Sequence, residues 1–128
     1  MESSQRRRLK VLVVEDHAII ARLTVRLIED MDCEAVGPAP SIREALRLAE
    51  KERPDAALVD LSLPDGSGAS LISQLREMGI FCAVVSAYPE SDKRLDGLAD
   101  IPWLEKPLMV EQLQSLLKEL PVREARDG

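Results

Sequence analysis

Rings are nearly missing from this sequence. One Phe, one Tyr and one Trp (Phe81, Tyr88 and Trp103) make up 2% of its 128 residues. Proteins that hold single-stranded nucleic acid stack bases on several aromatic platforms, so that class is disfavoured and the core must be aliphatic. Positive charge is also short: 17 Lys and Arg against 23 Asp and Glu leave a net charge of −6. A surface that grips phosphate backbones needs the opposite balance, and direct nucleic-acid binding is not expected. Cys33 and Cys82 are the two cysteines, with no CxxC or CxxxH spacing. They form neither a disulfide framework nor a zinc site, and read as buried thiols in a reducing compartment. No apolar run approaches the roughly 20 residues that span a membrane. The basic N-terminus precedes only the short run 11–14, which stops at Glu15-Asp16 and is too short for a signal peptide. A soluble cytoplasmic chain is expected, of one domain's length.

What is present is a repeated change of hydrophobic period. Residues 9–14 are a near-unbroken, valine-rich apolar run, the mark of a strand covered on both faces. Ile20, Leu23, Leu27 and Met31 then follow helical spacing, with Arg22, Arg26 and Glu29 off the stripe. Residues 33–36 predict a short strand closed by the turn pair Gly37-Pro38. Ser41-Ile42-Arg43-Glu44 reads as a capping box opening a helix with the stripe Ile42, Ala45, Leu46, Ala49. Residues 56–59 form the next apolar strand, ending in Asp60. The turn-rich stretch 64–68 leads into a helix bearing Leu71, Ile72, Leu75 and Met78, with Gly79 at its C′ position. Residues 80–85 are another buried strand, ending at Ser86, with Phe81 expected in the core. A short helix is expected within 89–100, a brief strand at Trp103-Leu104, and a last helix on Val110, Leu113, Leu117 and Leu120. Five strands alternating with helices imply an α/β fold, a five-stranded parallel sheet with helices on both faces.

Ligands of such sheets bind beyond the carboxyl ends of the strands. Those ends carry Glu15-Asp16, Asp60, Ser86 and, just after the fifth strand, Lys106. Three carboxylates crowded together repel one another and call for a cation. With oxygen ligands alone a hard ion is selected, and Mg²⁺ is expected. An aspartate at a strand tip beside Mg²⁺ and a lysine is equipped to attack phosphorus and form an aspartyl phosphate. His17, the lone histidine, reads as a solvated residue opening the first helix.

Four segments, VLVVED, ALVDLSLPDGSG, AVVSAY and WLEKP, carry these groups, and with them the chain resembles the receiver domains (CheY-like) of two-component response regulators over residues 9–120. The resemblance implies the flavodoxin-like (βα)5 receiver fold, flanked by a basic tail at 1–8 and a second tail at 121–128. It implies that Asp60 accepts the phosphoryl group, and that Glu15, Asp16, Asp60 and the backbone carbonyl of Ser62 hold Mg²⁺. Ser86, Ala87 and Lys106 would contact the phosphoryl group, and the bond before Pro107 would be cis. Trp103 would stand where the family has its switch aromatic, normally Tyr or Phe, and a larger indole puts the ordinary switch in question. Apart from the resemblance, Tyr88 lies two residues past Ser86, close enough in sequence to be expected to overhang the acyl phosphate and hinder attacking water. The stretch between Ser86 and Lys106 is a little shorter than is common. As a stand-alone regulator without an output domain, the chain would take its phosphoryl group from a histidine kinase or histidine phosphotransfer protein. It would signal through an unknown downstream protein or act as a relay or sink, as a monomer or weak homodimer, with no independent substrate. A Mg²⁺-dependent phosphatase would need Asp-x-Asp after the first strand and a cap domain. A flavodoxin-like electron carrier would need a phosphate loop and more rings. A degenerate receiver would lack one or more of the five site groups.

Overall fold

Each apolar run in the sequence becomes a strand because its β-branched residues can be covered on both faces. A computed structural model describes residues 8–87 and 100–120. In chain order the elements are β1 (Lys10–Val14), α1 (Ala18–Asp30), β2 (Glu34–Ala39), α2 (Ile42–Glu52), β3 (Ala56–Asp60), β4 (Ser62–Leu63), β5 (Gly66–Ser67), α3 (Gly68–Glu77), β6 (Phe81–Ser86), β7 (Trp103–Glu105) and α4 (Val110–Lys118). Five strands make one parallel sheet in the order β2-β1-β3-β6-β7, while β4 and β5 form a separate two-stranded hairpin. With the hairpin set aside, this is the 2-1-3-4-5 order of flavodoxin-like doubly wound sheets. The chain turns one way from β1 and the other way from β3, so the switch point lies between their carboxyl ends.

Alternation along the strands sorts the core into two layers. Leu12, Val14, Ala57, Val59, Cys82 and Val84 face α2 and α3, where Ala45, Ala49, Leu71, Ile72 and Leu75 cover them. Val11, Val13, Leu58, Ala83 and Val85 face α1 and α4, meeting Ile28, Leu113 and Leu116. Each fully buried Leu, Ile or Val contributes roughly 1.5–3 kcal/mol relative to exposure. The layers are aliphatic, as the shortage of rings requires.

Several expected boundaries move. The α1 stripe is wrong by one residue: Ala21, Thr24 and Ile28 are buried, while Leu23 is 61% exposed. Two stripes fit the same spacing, and the one with small residues lies closer to the sheet. Thr24 can be buried because its hydroxyl donates to the Ile20 carbonyl at 2.9 Å. In α4, Leu113 and Leu116 are the buried pair and Val110 is exposed. The second strand does not close at Gly37-Pro38 but runs through both residues to Ala39. As an edge strand it has no outer partner, so proline's missing N–H breaks no ladder bond there. Phe81 is only partly buried, packed on the α1/α4 layer. The capping box at α2 is half present: Ser41 Oγ accepts from the Glu44 amide at 3.2 Å, but the Glu44 carboxylate turns to Arg47 at 2.6 and 3.0 Å. Gly79 stands at the C′ position of α3 with φ +83°, donating to the Arg76 carbonyl at 2.9 Å while Ile80 donates to Leu75 at 3.1 Å. The helix expected within 89–100 lies largely outside the described residues.

Candidate functional site

The carboxyl ends of β1, β3, β6 and β7 bring the polar residues together at the switch point. Glu15 follows β1 directly, and its amide donates to the Ala39 carbonyl at 2.9 Å, which extends the sheet one residue into the site. Asp60 is the last residue of β3, the central strand. Glu15 is 5% exposed and Asp60 8%, whereas Asp16 faces solvent. One carboxylate oxygen from each of the three lies within 4.8 Å of the others.

Two of these carboxylates are held in the same way. Glu15 takes the His17 amide on Oε2 at 3.1 Å and the Lys106 ammonium on Oε1 at 2.8 Å. Asp60 takes the Ser62 amide on Oδ1 at 3.1 Å and Lys106 Nζ on Oδ2 at 3.0 Å. In each, a backbone N–H two residues onward orients the group, and the second oxygen is turned to one shared lysine. Burial pushes the Glu15 carboxyl above its usual range, and the nearby Asp60 charge adds to this against the hydrogen bond from Lys106. For Lys106, burial alone would lower the pKa. Hydrogen bonds to Glu15 and Asp60 outweigh it and hold the ammonium above its usual value.

Lys106 is aimed by its own backbone. Its amide donates to the Ser86 carbonyl at 2.8 Å, beyond the last β6–β7 pair, Ser86 with Glu105. The Lys106–Pro107 bond is cis, as is Gly37–Pro38. Ser86 is buried at the tip of β6 and Ala87 beside it is exposed. Trp103 is half-buried, opposite Val84 in the ladder and packed on the α2/α3 layer. Tyr88 lies outside the described residues. Gly68 passes so close to the Asp60 carbonyl that a Cβ there would stand 2.5 Å from its oxygen. No side chain fits at that position, which explains a glycine at the start of α3.

The carboxylates suit a hard divalent cation. They supply oxygen donors alone, and a cation would offset the excess of negative charge over the one ammonium. Among the described residues no other group of three or more metal-ligating side chains comes together.

A family model for the response regulator receiver domain matches residues 11–118. The chain belongs to this family. Among curated relatives of the receiver domain, the KDP operon transcriptional regulatory protein KdpE of Escherichia coli is 36% identical over 112 residues, covering 84% of this chain and 49% of that protein. The chain spans about half the length of the curated relatives it matches. Among solved structures, a CheY-like receiver domain from Methylobacillus flagellatus superposes with TM-score 0.78 at 26% identity, covering 90% of this chain and all of that one. A response regulator from Burkholderia pseudomallei, solved with a phosphorylated aspartic acid, a calcium ion and citrate, superposes with TM-score 0.73 at 29% identity, covering 88% of this chain and 66% of that one. Receiver domains are signalling modules, and the expected fold is the one found.

The residues expected at the strand ends, Glu15, Asp16 and Asp60, do come together, but their sequence does not show what orients them. The His17 and Ser62 amides leave no mark in residue type, because every residue but proline has an N–H. Nor does residue type announce that Asp65 accepts from the Ile42 and Arg43 amides.

Proposed function

We propose that this receiver domain accepts a phosphoryl group on Asp60 from a phosphohistidine of a histidine kinase or phosphotransfer protein. The observation that carries the reading is the Asp60 carboxylate: one oxygen is fixed by the Ser62 amide, and the other is turned to Lys106 at 3.0 Å beside Glu15 and Asp16. Glu15, Asp16, Asp60 and the Ser62 carbonyl would hold Mg²⁺, which when bound neutralises phosphoryl oxygens. Asp60 Oδ attacks phosphorus as the P–N bond breaks, and the protonated imidazole departs as a neutral base. Lys106 gives up part of its hold on Asp60 and donates instead to a phosphoryl oxygen, and the Ser86 hydroxyl donates to another. The aspartyl phosphate and calcium named for the Burkholderia pseudomallei regulator support this chemistry in a similar chain.

Signalling by contact with a downstream protein, or passing the phosphoryl group on, follows from the same reading. The net charge of −6 favours protein contact over direct DNA contact for these residues. In this reading the domain works in the cytoplasm, as a monomer or weak homodimer, and turns over no separate substrate. Trp103 supplies the test. Adding Mg²⁺ and then beryllofluoride should change its fluorescence, and a small phosphodonor should form a hydroxylamine-labile acyl phosphate, neither occurring in Asp60→Asn. No Mg²⁺-dependent response together with no acyl phosphate would sink the reading.

A further inference from the structure

The first amides of a helix find no carbonyl inside it and need outside acceptors. In α2 they draw on two sources. The Glu44 amide donates to the local cap, Ser41 Oγ, at 3.2 Å. The Ile42 and Arg43 amides donate instead to Asp65, at 2.8 Å to Oδ1 and 3.1 Å to Oδ2. Asp65 belongs to the loop that leaves Asp60 and runs to α3. One carboxylate thus ties that loop to the amino end of a helix more than twenty residues earlier.

The near end of the loop is tied to the phosphoacceptor. Ser62 N donates to Asp60 Oδ1 at 3.1 Å, and Gly68 N donates to the Leu61 carbonyl at 3.0 Å. Between these points the chain forms the short hairpin of β4 and β5, and an isolated hairpin is marginal by itself. Helix α2 is the firmer body, docked on the sheet through the fully buried Ala45 and Ala49. Beside Asp65, Gly66 sits so near Ile42 that a Cβ would stand 2.9 Å from its Cδ1. Leu63 and Ile42 also pack on the same core layer. The loop therefore meets the start of α2 through a charge-assisted pair of hydrogen bonds and through packing.

We propose that Asp65 is a positioning residue for the cation site: by clamping the loop 61–67 to α2 it sets where the Ser62 backbone stands relative to Asp60. This rests on the reading above, in which the Ser62 carbonyl joins Asp16 and Asp60 around Mg²⁺. The Ile42 amide foremost, with the Arg43 amide, holds the Asp65 carboxyl below its usual range, so the clamp stays ionised through neutral pH.

The test compares Asp65→Ala with Ser41→Ala, which removes the other cap of the same helix end. Calorimetric titration with Mg²⁺ alone should show about tenfold weaker binding in Asp65→Ala, the size of effect seen when support behind metal ligands is lost. Amide hydrogen exchange at Ser62 and Leu63 should speed up in metal-free Asp65→Ala. Ser41→Ala should lower the melting temperature yet leave both readouts unchanged. Asp65→Asn, which keeps one acceptor, should recover part of the affinity, and it carries the test if Asp65→Ala does not fold. Mg²⁺ affinity equal in Asp65→Ala and the parent, or weakened as much by Ser41→Ala, overturns the inference alone. A parent chain that binds no Mg²⁺ overturns this inference and the proposed function together.

Discussion

The two edges of the central sheet each bury acidic side chains near a lysine, and they use them differently. At the amino edge Asp55, 4% exposed, accepts the Lys10 amide at 2.9 Å and returns its own amide to the Lys10 carbonyl at 2.8 Å. The Lys10 ammonium donates to the Glu52 carbonyl at 3.1 Å and lies 3.6 Å from its carboxylate. Asp55 is thus gripped by a backbone amide, and the Lys10 ammonium is anchored on a backbone carbonyl. At the carboxyl edge, Glu15 and Asp60 each give one oxygen to a backbone amide and the other to the single mobile ammonium of Lys106. A backbone amide cannot leave, whereas a lysine on a four-carbon stem can. The first edge ties side chains to backbone, and the second holds two carboxylates on one lysine side chain.

Four substitutions and one labelling measurement would break or sharpen that contrast. The largest effect is expected from Asp60→Asn, which should abolish acyl phosphate formation from a small phosphodonor while circular dichroism shows the fold retained. Next, exchanging one acid at each edge should separate the roles. Asp16→Ala should weaken Mg²⁺ binding at least about tenfold, with unfolding free energy changed by no more than about 0.5 kcal/mol at this exposed position. Asp55→Ala should cost about 1 kcal/mol in urea unfolding by leaving the part-buried Lys10 amide without this acceptor, with Mg²⁺ affinity unchanged. If Asp55→Ala weakens Mg²⁺ binding as strongly as Asp16→Ala, the two edges are not separate.

Lys106→Ala should lower metal-free stability by about 2 kcal/mol, because two buried carboxylates lose their counterion; partial exposure keeps this below the figure for a fully buried pair. The same variant should bind Mg²⁺ roughly tenfold tighter, since a competing positive charge has gone, and transfer phosphoryl more slowly. Unchanged Mg²⁺ affinity would mean that Lys106 does not compete for the carboxylates. The smallest effect concerns a thiol away from both edges. Burial pushes Cys82 up to about 12, so it should react with a thiol reagent only in denaturant. Its neutral form supports the fold below the ordinary value of 9.0, and that support is lost as pH rises toward about 12. Rapid labelling of Cys82 in the native protein at pH 8 would contradict this burial.

Much of this was legible in the residues because the rule behind each reading is local. Short, continuous, valine-rich runs favour strands covered on both sides, and a parallel sheet puts all their carboxyl ends on one edge. The strand-end positions of Glu15, Asp16, Asp60, Ser86 and Lys106 are therefore legible in the order of the residues. The misread stripe on α1 shows the limit of such rules. Ile20, Leu23 and Leu27 satisfy helical periodicity as well as Ala21, Thr24 and Ile28 do, and only the close approach of helix to sheet favours the smaller set.

The sequence by itself determined the alternation of strand and helix, the aliphatic core and the collection of acids with one lysine, since period and residue chemistry are written residue by residue. The tertiary structure decided which oxygen of each carboxylate meets Lys106, which helix face is buried, and that Asp65 reaches back to cap α2. Those depend on contacts between residues far apart in the chain, whose geometry exists only once the sheet has brought them together.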